Sequence, residues 1–206
     1  MKVIFWDFNG TILDDLELCH NILNQMLKKH DRKTVTMTEY LNIFTFPVET
    51  YYNMVFDLSE TPFDMLANEF ITQYQKKSLK LNLHEGVIKA ILYAQAKGYQ
   101  NILLSASEKS RLEAQIKHYE IDHLFDHVLG TENIFGKSKL DVFLAYMKDK
   151  MIDPKDAIII GDTIHDAQLS EAVGCAVILY TKGHQHPDRL KKYKTINHFS
   201  QLIDII

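Results

Sequence analysis

Asp7 closes a short apolar run, Val3-Ile4-Phe5-Trp6, and is followed by Phe8-Asn9-Gly10-Thr11, where a glycine turns the backbone. A wholly apolar run ending in a carboxylate predicts a central parallel strand that delivers a reactive group to its carboxyl end. That is the edge at which open α/β sheets bind ligands. Two further runs end alike. Asn101-Ile102-Leu103-Leu104 finishes in Ser105-Ala106-Ser107, and Ala157-Ile158-Ile159-Ile160 finishes in Gly161-Asp162-Thr163-Ile164-His165-Asp166. Laid side by side, these strands would bring Asp7, Ser105, Asp162 and Asp166 to one rim. Carboxylates from separate strands make a hard-oxygen site for Mg²⁺, and a serine hydroxyl beside them can hold a phosphate oxygen.

The elements that must position these groups follow from periodicity. After Asp14 the pattern turns helical: Leu16, Cys19, Leu23, Met26 and Leu27 share one face up to about His30. Thr36-x-x-Glu39 reads as a capping box opening a short helix that stops before Pro47. Val48, Tyr51, Tyr52, Val55 and Phe56 mark a third helix. Thr61-Pro62-Phe63-Asp64 predicts a fourth, with Thr61 as its cap and Pro62 in the first helical position. Helices with no strand between them, placed after the first strand, predict a separate helical cap over residues 14–83. The core then occupies 1–13 and 84–206. It carries a helix ending at Gly98, the strand at 101–104, a helix around Lys109–His118 and a strand near His127. Beyond these come a helix over Lys139–Met151, the strand at 157–160, a helix ended by Gly174, and strands near Cys175–Leu179 and Thr195–Ile196.

Taken together and in this order, the motifs resemble those of the haloacid dehalogenase superfamily, phosphoglycolate phosphatase-like. Asp-Phe-Asn-Gly-Thr matches its first motif and Ser105 its second. A lysine of Gly136-Lys137-Ser138-Lys139-Leu140-Asp141 matches its third, and Gly161-Asp162 with Asp166 its fourth. Trp6 with the Asn9-containing first motif, Phe46-Pro47-Val48, Ser105-Ala106-Ser107 and Gly183-His184-Gln185 are similar to a subgroup that carries Asn in the first motif. The resemblance implies a Rossmann-like α/β core with a central parallel sheet and a small inserted α-helical cap. It also implies a Mg²⁺-dependent phosphohydrolase acting on a small phosphorylated metabolite.

In that reading Asp7 is the nucleophile, forming an aspartyl-phosphate that water hydrolyses. Asp7, the backbone carbonyl of Asn9 and Asp162 hold the metal, with Asp166 in its outer shell. Gly10, Thr11, Ser105, Ala106 and the motif lysine bind the phosphate, helped by backbone amides at the next helix start. Ser138-x-x-Asp141 has capping-box spacing, which favours Lys139 as the lysine paired with Asp7. Lys137 is the alternative. Phe46 and Tyr51, at an apolar loop of the cap, are candidate substrate contacts.

Asn9 departs from the family pattern, which usually places a second aspartate there to protonate the leaving group. A carboxamide cannot exchange a proton, and losing an acid–base group typically costs about 10²–10⁴ in rate. Asn9→Asp therefore reads, from sequence, as a near-isosteric return of the missing acid. His165 is a candidate substitute base, although a solvent-facing histidine is the favoured reading. A regulatory, phosphate-binding protein with little turnover is the competing reading, and Asn9 is its support.

Composition narrows the rest. With 206 residues, 46% hydrophobic and 24% charged, the chain can bury one core and a modest insertion. A net charge of −4 gives no electrostatic footprint for nucleic acid. No apolar run approaches about 18 residues, so no membrane span is expected. The start of the chain leads directly into a strand with no signal peptide, and Cys19 and Cys175 form no close pair, as in a cytoplasmic protein with reduced thiols. A monomer or homodimer is expected.

Overall fold

The computed structural model describes residues 2–132 and 139–206. Six parallel strands form its sheet: β1 (Val3–Trp6), β2 (Gln100–Glu108), β3 (His127–Thr131), β4 (Ala157–Gly161), β5 (Ala176–Tyr180) and β6 (Lys194–Ile196). Their order is β3-β2-β1-β4-β5-β6. β1, which carries Asp7 at its end, is therefore central.

Alternation along β1 sends its side chains to two different cores. Ile4 and Trp6 pack with α5 (Val87–Ala96), α6 (Lys109–His118) and the 3-10 turn Phe199–Asp204. Val3 and Phe5 pack with α7 (Lys139–Asp149) and with Leu169 of α8 (Ile164–Val173). Every β1 side chain is fully buried, as expected of a strand covered on both faces. Burying Trp6 requires a partner for its indole N–H, and Asn101 of β2 accepts it at 2.9 Å.

Between β1 and α5 lie α1 (Leu16–Lys29), α2 (Met37–Ile43), α3 (Val48–Tyr52) and α4 (Phe63–Ser78). They enclose a cluster of their own, built on Ile22, Leu23, Met26, Tyr40, Tyr52 and Leu66. The chain leaves and re-enters the sheet through a narrow neck. Leu13 bridges Leu83, the Asp14 amide donates to the Asn82 carbonyl at 3.0 Å, and the His84 amide donates to the Ile12 carbonyl at 2.9 Å.

At Thr36 both capping-box bonds are present, with the Thr36 amide 2.7 Å from the Glu39 carboxylate and the Glu39 amide 3.2 Å from the Thr36 hydroxyl. At Thr61 the sequence expectation needs correction. The helix opens one residue later, because Pro62 takes an extended ψ of 143° and itself becomes the cap. β2 is also longer than its apolar run. It continues through Ser105, Ala106 and Ser107 to Glu108, with a register shift against β3 between Leu104 and Glu108. Ser105 and Ala106 therefore lie within a strand, not at the N-terminus of α6, whose cap is Glu108.

Candidate active site

Register decides which side chains meet. Trp6 pairs with Leu103 on one side and Ile160 on the other, and the Asp7 amide donates to the Ile160 carbonyl at 2.8 Å. Asp7 thus emerges one residue past Leu103 of β2 and Ile160 of β4, level with the end of β4 and with the point at which β2 passes into Ser105-Ala106-Ser107. A carboxylate oxygen of Asp7, one of Asp162 and one of Asp166 all lie within 4.8 Å of one another, and all three residues are buried.

Lys139, the first residue of α7 and only 3% exposed, donates to Asp7 and, at 2.6 Å, to Asp166. Lys137 and Ser138 lie outside the described residues, so the structure compares neither the alternative lysine nor the capping-box serine. Asp166 serves two structures at once. Its other oxygen accepts from the Thr163 hydroxyl at 2.7 Å and the Thr163 amide at 3.1 Å, which caps α8.

The charge balance of this cluster is unequal: three carboxylates face one ammonium. Burial, with repulsion from Asp166 and Asp162, outweighs Lys139 and pushes Asp7 up to about 8. Burial and Asp166 also push Asp162 up, to about 6. Asp166 moves the other way, since its bonds to Lys139 and Thr163 overcome burial and hold it below the usual carboxylate range. Lys139 is raised above its ordinary value because Asp166 and Asp7 outweigh its desolvation. A compact oxygen set with surplus negative charge is the donor chemistry that suits a hard divalent cation.

Ser105 is 2% exposed, and its hydroxyl accepts from the Ser107 amide at 3.1 Å. Gly10 and Thr11 are directed inward. The Gly10 amide donates to Asp15 at 2.8 Å, and the buried Thr11 hydroxyl lies 3.0 Å from Asp162 and 3.3 Å from Asp7. Neither residue is among those lining the cavity, and these donors brace the loop and its carboxylates.

A cavity of about 440 Å³ opens from Asp7, Asn9, Ser105, Ala106 and Lys139 toward the helices of residues 14–83. Phe46 and Tyr51 both line it. His165 does not line it and is not solvent-facing as expected. Its half-buried ring stacks on Phe46 at 4.9 Å, and burial together with Lys139 lowers its pKa.

The model of the family described as haloacid dehalogenase-like hydrolase matches residues 3–180. The chain belongs to this family. It is similar to a bifunctional riboflavin kinase/FMN phosphatase of Arabidopsis thaliana, with 25% identity over 84% of the chain and 46% of that protein. It thus spans about half the length of that relative. A phosphoglycolate phosphatase of Haemophilus influenzae is 23% identical over 72% of the chain and 69% of its own length. A solved haloacid dehalogenase-like hydrolase from Streptococcus pneumoniae superposes with a TM-score of 0.83 at 19% identity, covering 100% of this chain and 98% of its own, which shows the shared fold.

Around the hydrolase carboxylates the structure adds two residues whose part in the site the sequence left unassigned. Asp15, fully buried, accepts from His184 Nε2 at 2.9 Å, Tyr74 at 2.7 Å, Asn9 Nδ2 at 2.8 Å and the Gly10 amide. Burial opposes its charge, but His184 and these donors hold its pKa below the ordinary value. His184 follows β5, on the same edge as Asp7. Desolvation would lower its imidazolium, yet Asp15 outweighs this and raises it to about 9. Its amide donates to Asp162 at 2.6 Å, its Nδ1 meets Tyr40 of α2 at 3.0 Å, and its ring stacks on Phe44 at 4.9 Å. The sequence signals for His184 are its position after a core strand and the Gly183-His184-Gln185 motif, neither of which names its chemistry. Asp15 gave none, because an acid beside a helix start reads as an ordinary helix-start acid.

Proposed function

We propose that this chain is a Mg²⁺-dependent phosphohydrolase that cleaves a small phosphorylated metabolite through an aspartyl-phosphate on Asp7. The observation that carries this reading is the buried cluster of Asp7, Asp162 and Asp166 bonded to Lys139 at the carboxyl edge of the sheet.

Asp7 and Asp162, with the backbone carbonyl of Asn9, would hold the cation, and Asp166 would stay outside it, engaged by Lys139 and Thr163. Bound there, Mg²⁺ supplies the charge neutralisation that lets a carboxylate approach a phosphate dianion. Asp7 attacks phosphorus in line. Lys139, held to Asp7, balances the charge that gathers on the phosphoryl oxygens. Ser105 and Ala106 face the phosphate from β2. Residues 14–83 form the cap and residues 1–13 with 84–206 the core, a division supported by the separate apolar cluster and by the narrow neck at Leu13 and Leu83.

The test is phosphate release from an aryl phosphate with and without Mg²⁺. Asp7→Asn removes the nucleophile while leaving the strand intact, and its activity should fall below a tenth of the parent protein's. Retention above that level would overturn the assignment. A second reading, phosphate retention with little turnover, is favoured by Asn9. It predicts a stoichiometric burst of the alcohol followed by no steady state.

A further inference from the structure

The cavity and Asn9 together narrow the substrate of the proposed reaction, a step that rests on the phosphohydrolase reading. Beyond the strand-edge carboxylates, the space is walled by side chains of the helical insertion, among them Tyr51, Tyr52, Phe63, Ala67, Phe70 and Ile71. Its volume of about 440 Å³ falls in the range that encloses a drug-sized ligand and exceeds the needs of a two-carbon acid. Among the described residues, the cationic groups lining it besides Lys139 are Arg111 and His184. Each is already paired, Arg111 with Glu108 at 2.9 Å and His184 with Asp15 at 2.9 Å. Among the described residues, a small dianionic metabolite with a carboxylate would find each lining cation already facing an acid, Arg111 through its Nε alone, whereas a flat apolar body would find aromatic walls.

Leaving-group chemistry points the same way from a different observation. Asn9 has no proton to give, and its carboxamide is held on both sides. Nδ2 donates to Asp15 at 2.8 Å and meets Tyr74 at 2.6 Å, while Oδ1 accepts from Ser107 at 3.1 Å. The Tyr74 hydroxyl donates its own proton to Asp15 at 2.7 Å. Among the described residues around Asn9, none is free to protonate a departing alkoxide.

We propose that the substrate is an aryl phosphate, the phosphate monoester of a flat, mainly apolar aromatic hydroxyl whose ring fills the cavity beneath the helical insertion. The Asp7 carboxylate oxygen bonds to phosphorus as the aryl C–O–P oxygen leaves with the bonding pair. The phenolate departs as an anion and takes its proton from solvent. Water then attacks phosphorus, and the acyl phosphate yields the Asp7 carboxylate and H₂PO₄⁻. A phenol ionises near 10, so its anion can leave unaided. An alkoxide, closer to hydroxide, where water itself ionises near 16, cannot.

The experiment compares kcat/KM at saturating Mg²⁺ for phenyl, 2-naphthyl and benzyl phosphate, phosphoglycolate and acetyl phosphate. Phenyl and benzyl phosphate have similar bulk and differ in leaving group, so phenyl should exceed benzyl by about 10² or more, the size of a missing acid. 2-Naphthyl should exceed phenyl about tenfold, and phosphoglycolate should fall at least ~100-fold below phenyl. Ala67→Leu narrows the cavity and should cost 2-naphthyl phosphate about ten times more than acetyl phosphate, whose turnover also reports that the variant is folded. Benzyl within about threefold of phenyl, or phosphoglycolate as the best substrate, would overturn the proposal while leaving phosphohydrolase function standing. No phosphate release from any of these esters by the parent protein would instead remove the phosphohydrolase reading, and this proposal with it, whereas release undiminished by Asp7→Asn would remove the Asp7 nucleophile.

Discussion

Asn9 shows how far a single residue depends on its neighbours. From sequence, Asn9→Asp adds the missing acid at little cost. In the structure the Asn9 amide donates to the buried Asp15 carboxylate, so an aspartate there sets acceptor against acceptor. We expect Asn9→Asp to lose about 1–3 kcal/mol of stability, the cost of an unmet buried group. The double variant Asn9→Asp/Asp15→Asn should recover part of that loss, because a donor again faces an acceptor. Thermal denaturation of the four proteins in the cycle checks this, and additive losses would exclude the coupling. His84 offers a pH test at the neck, apart from Asp7, Asp162 and Asp166. Its Nε2 is buried without a hydrogen-bond partner, and burial lowers its pKa despite Asp14 nearby. A depressed histidine stabilises the fold above its unfolded value of about 6.5, and that contribution is lost as pH falls through its folded value. Stability should therefore decline more steeply from pH 7 to 5 in the parent protein than in His84→Leu.

At the scale of elements, the loop after β5 is the piece on which the strand, the Asp162 carboxylate and the helical insertion all lean. His184 bonds to Asp15 on one side and Tyr40 on the other, while its amide holds Asp162. Close approach there requires glycine, since a Cβ on Gly183 would sit 2.2 Å from the Asp162 carboxylate. Gly10, at φ +75°, meets the same carboxylate, where a Cβ would come within 2.5 Å. Gly183→Ala should displace Asp162 and weaken Mg²⁺ affinity about 10–100-fold, the range found when a ligand's supporting shell is disturbed, while circular dichroism stays unchanged. Affinity equal to the parent's would show that the loop yields without moving Asp162.

For the whole molecule, the unequal charge of the cluster becomes a stability statement. A cation that binds the folded carboxylates and not the unfolded chain stabilises by about 2.7 kcal/mol at a hundred times its dissociation constant. Tm should therefore rise with Mg²⁺ and fall with a chelator. Lys139→Ala leaves buried carboxylates without their ammonium, a loss of about 3–5 kcal/mol in metal-free buffer. Mg²⁺ should restore more stability to that variant than to the parent protein, because it then faces an uncompensated cluster. Equal shifts in both proteins would place the cation away from Asp7 and Asp166. In the proposed reaction, Lys139→Ala turnover should remain low even with metal, since the cation replaces the charge but not the donor held to Asp7.

Local sequence determined what depends on near neighbours. The apolar runs at 3–6, 101–104 and 157–160 had to be buried parallel strands, because so many branched and aromatic side chains need cover on both faces. The polar residues at their ends had to share one edge. The Thr36 box and the glycine stop at Gly174 were legible for the same reason, since a cap involves residues within one turn. Tertiary structure decided what depends on approach between distant segments. Asp15 meets His184 across 169 positions, and Lys139 meets Asp7 across 132. Pattern along the chain carries no trace of such partners, whose value arises only when burial removes water from both. The length of β2 past Leu104 was hidden too, because its continuation is held by pairing with β3, and Ser-Ala-Ser has no apolar alternation to announce a strand.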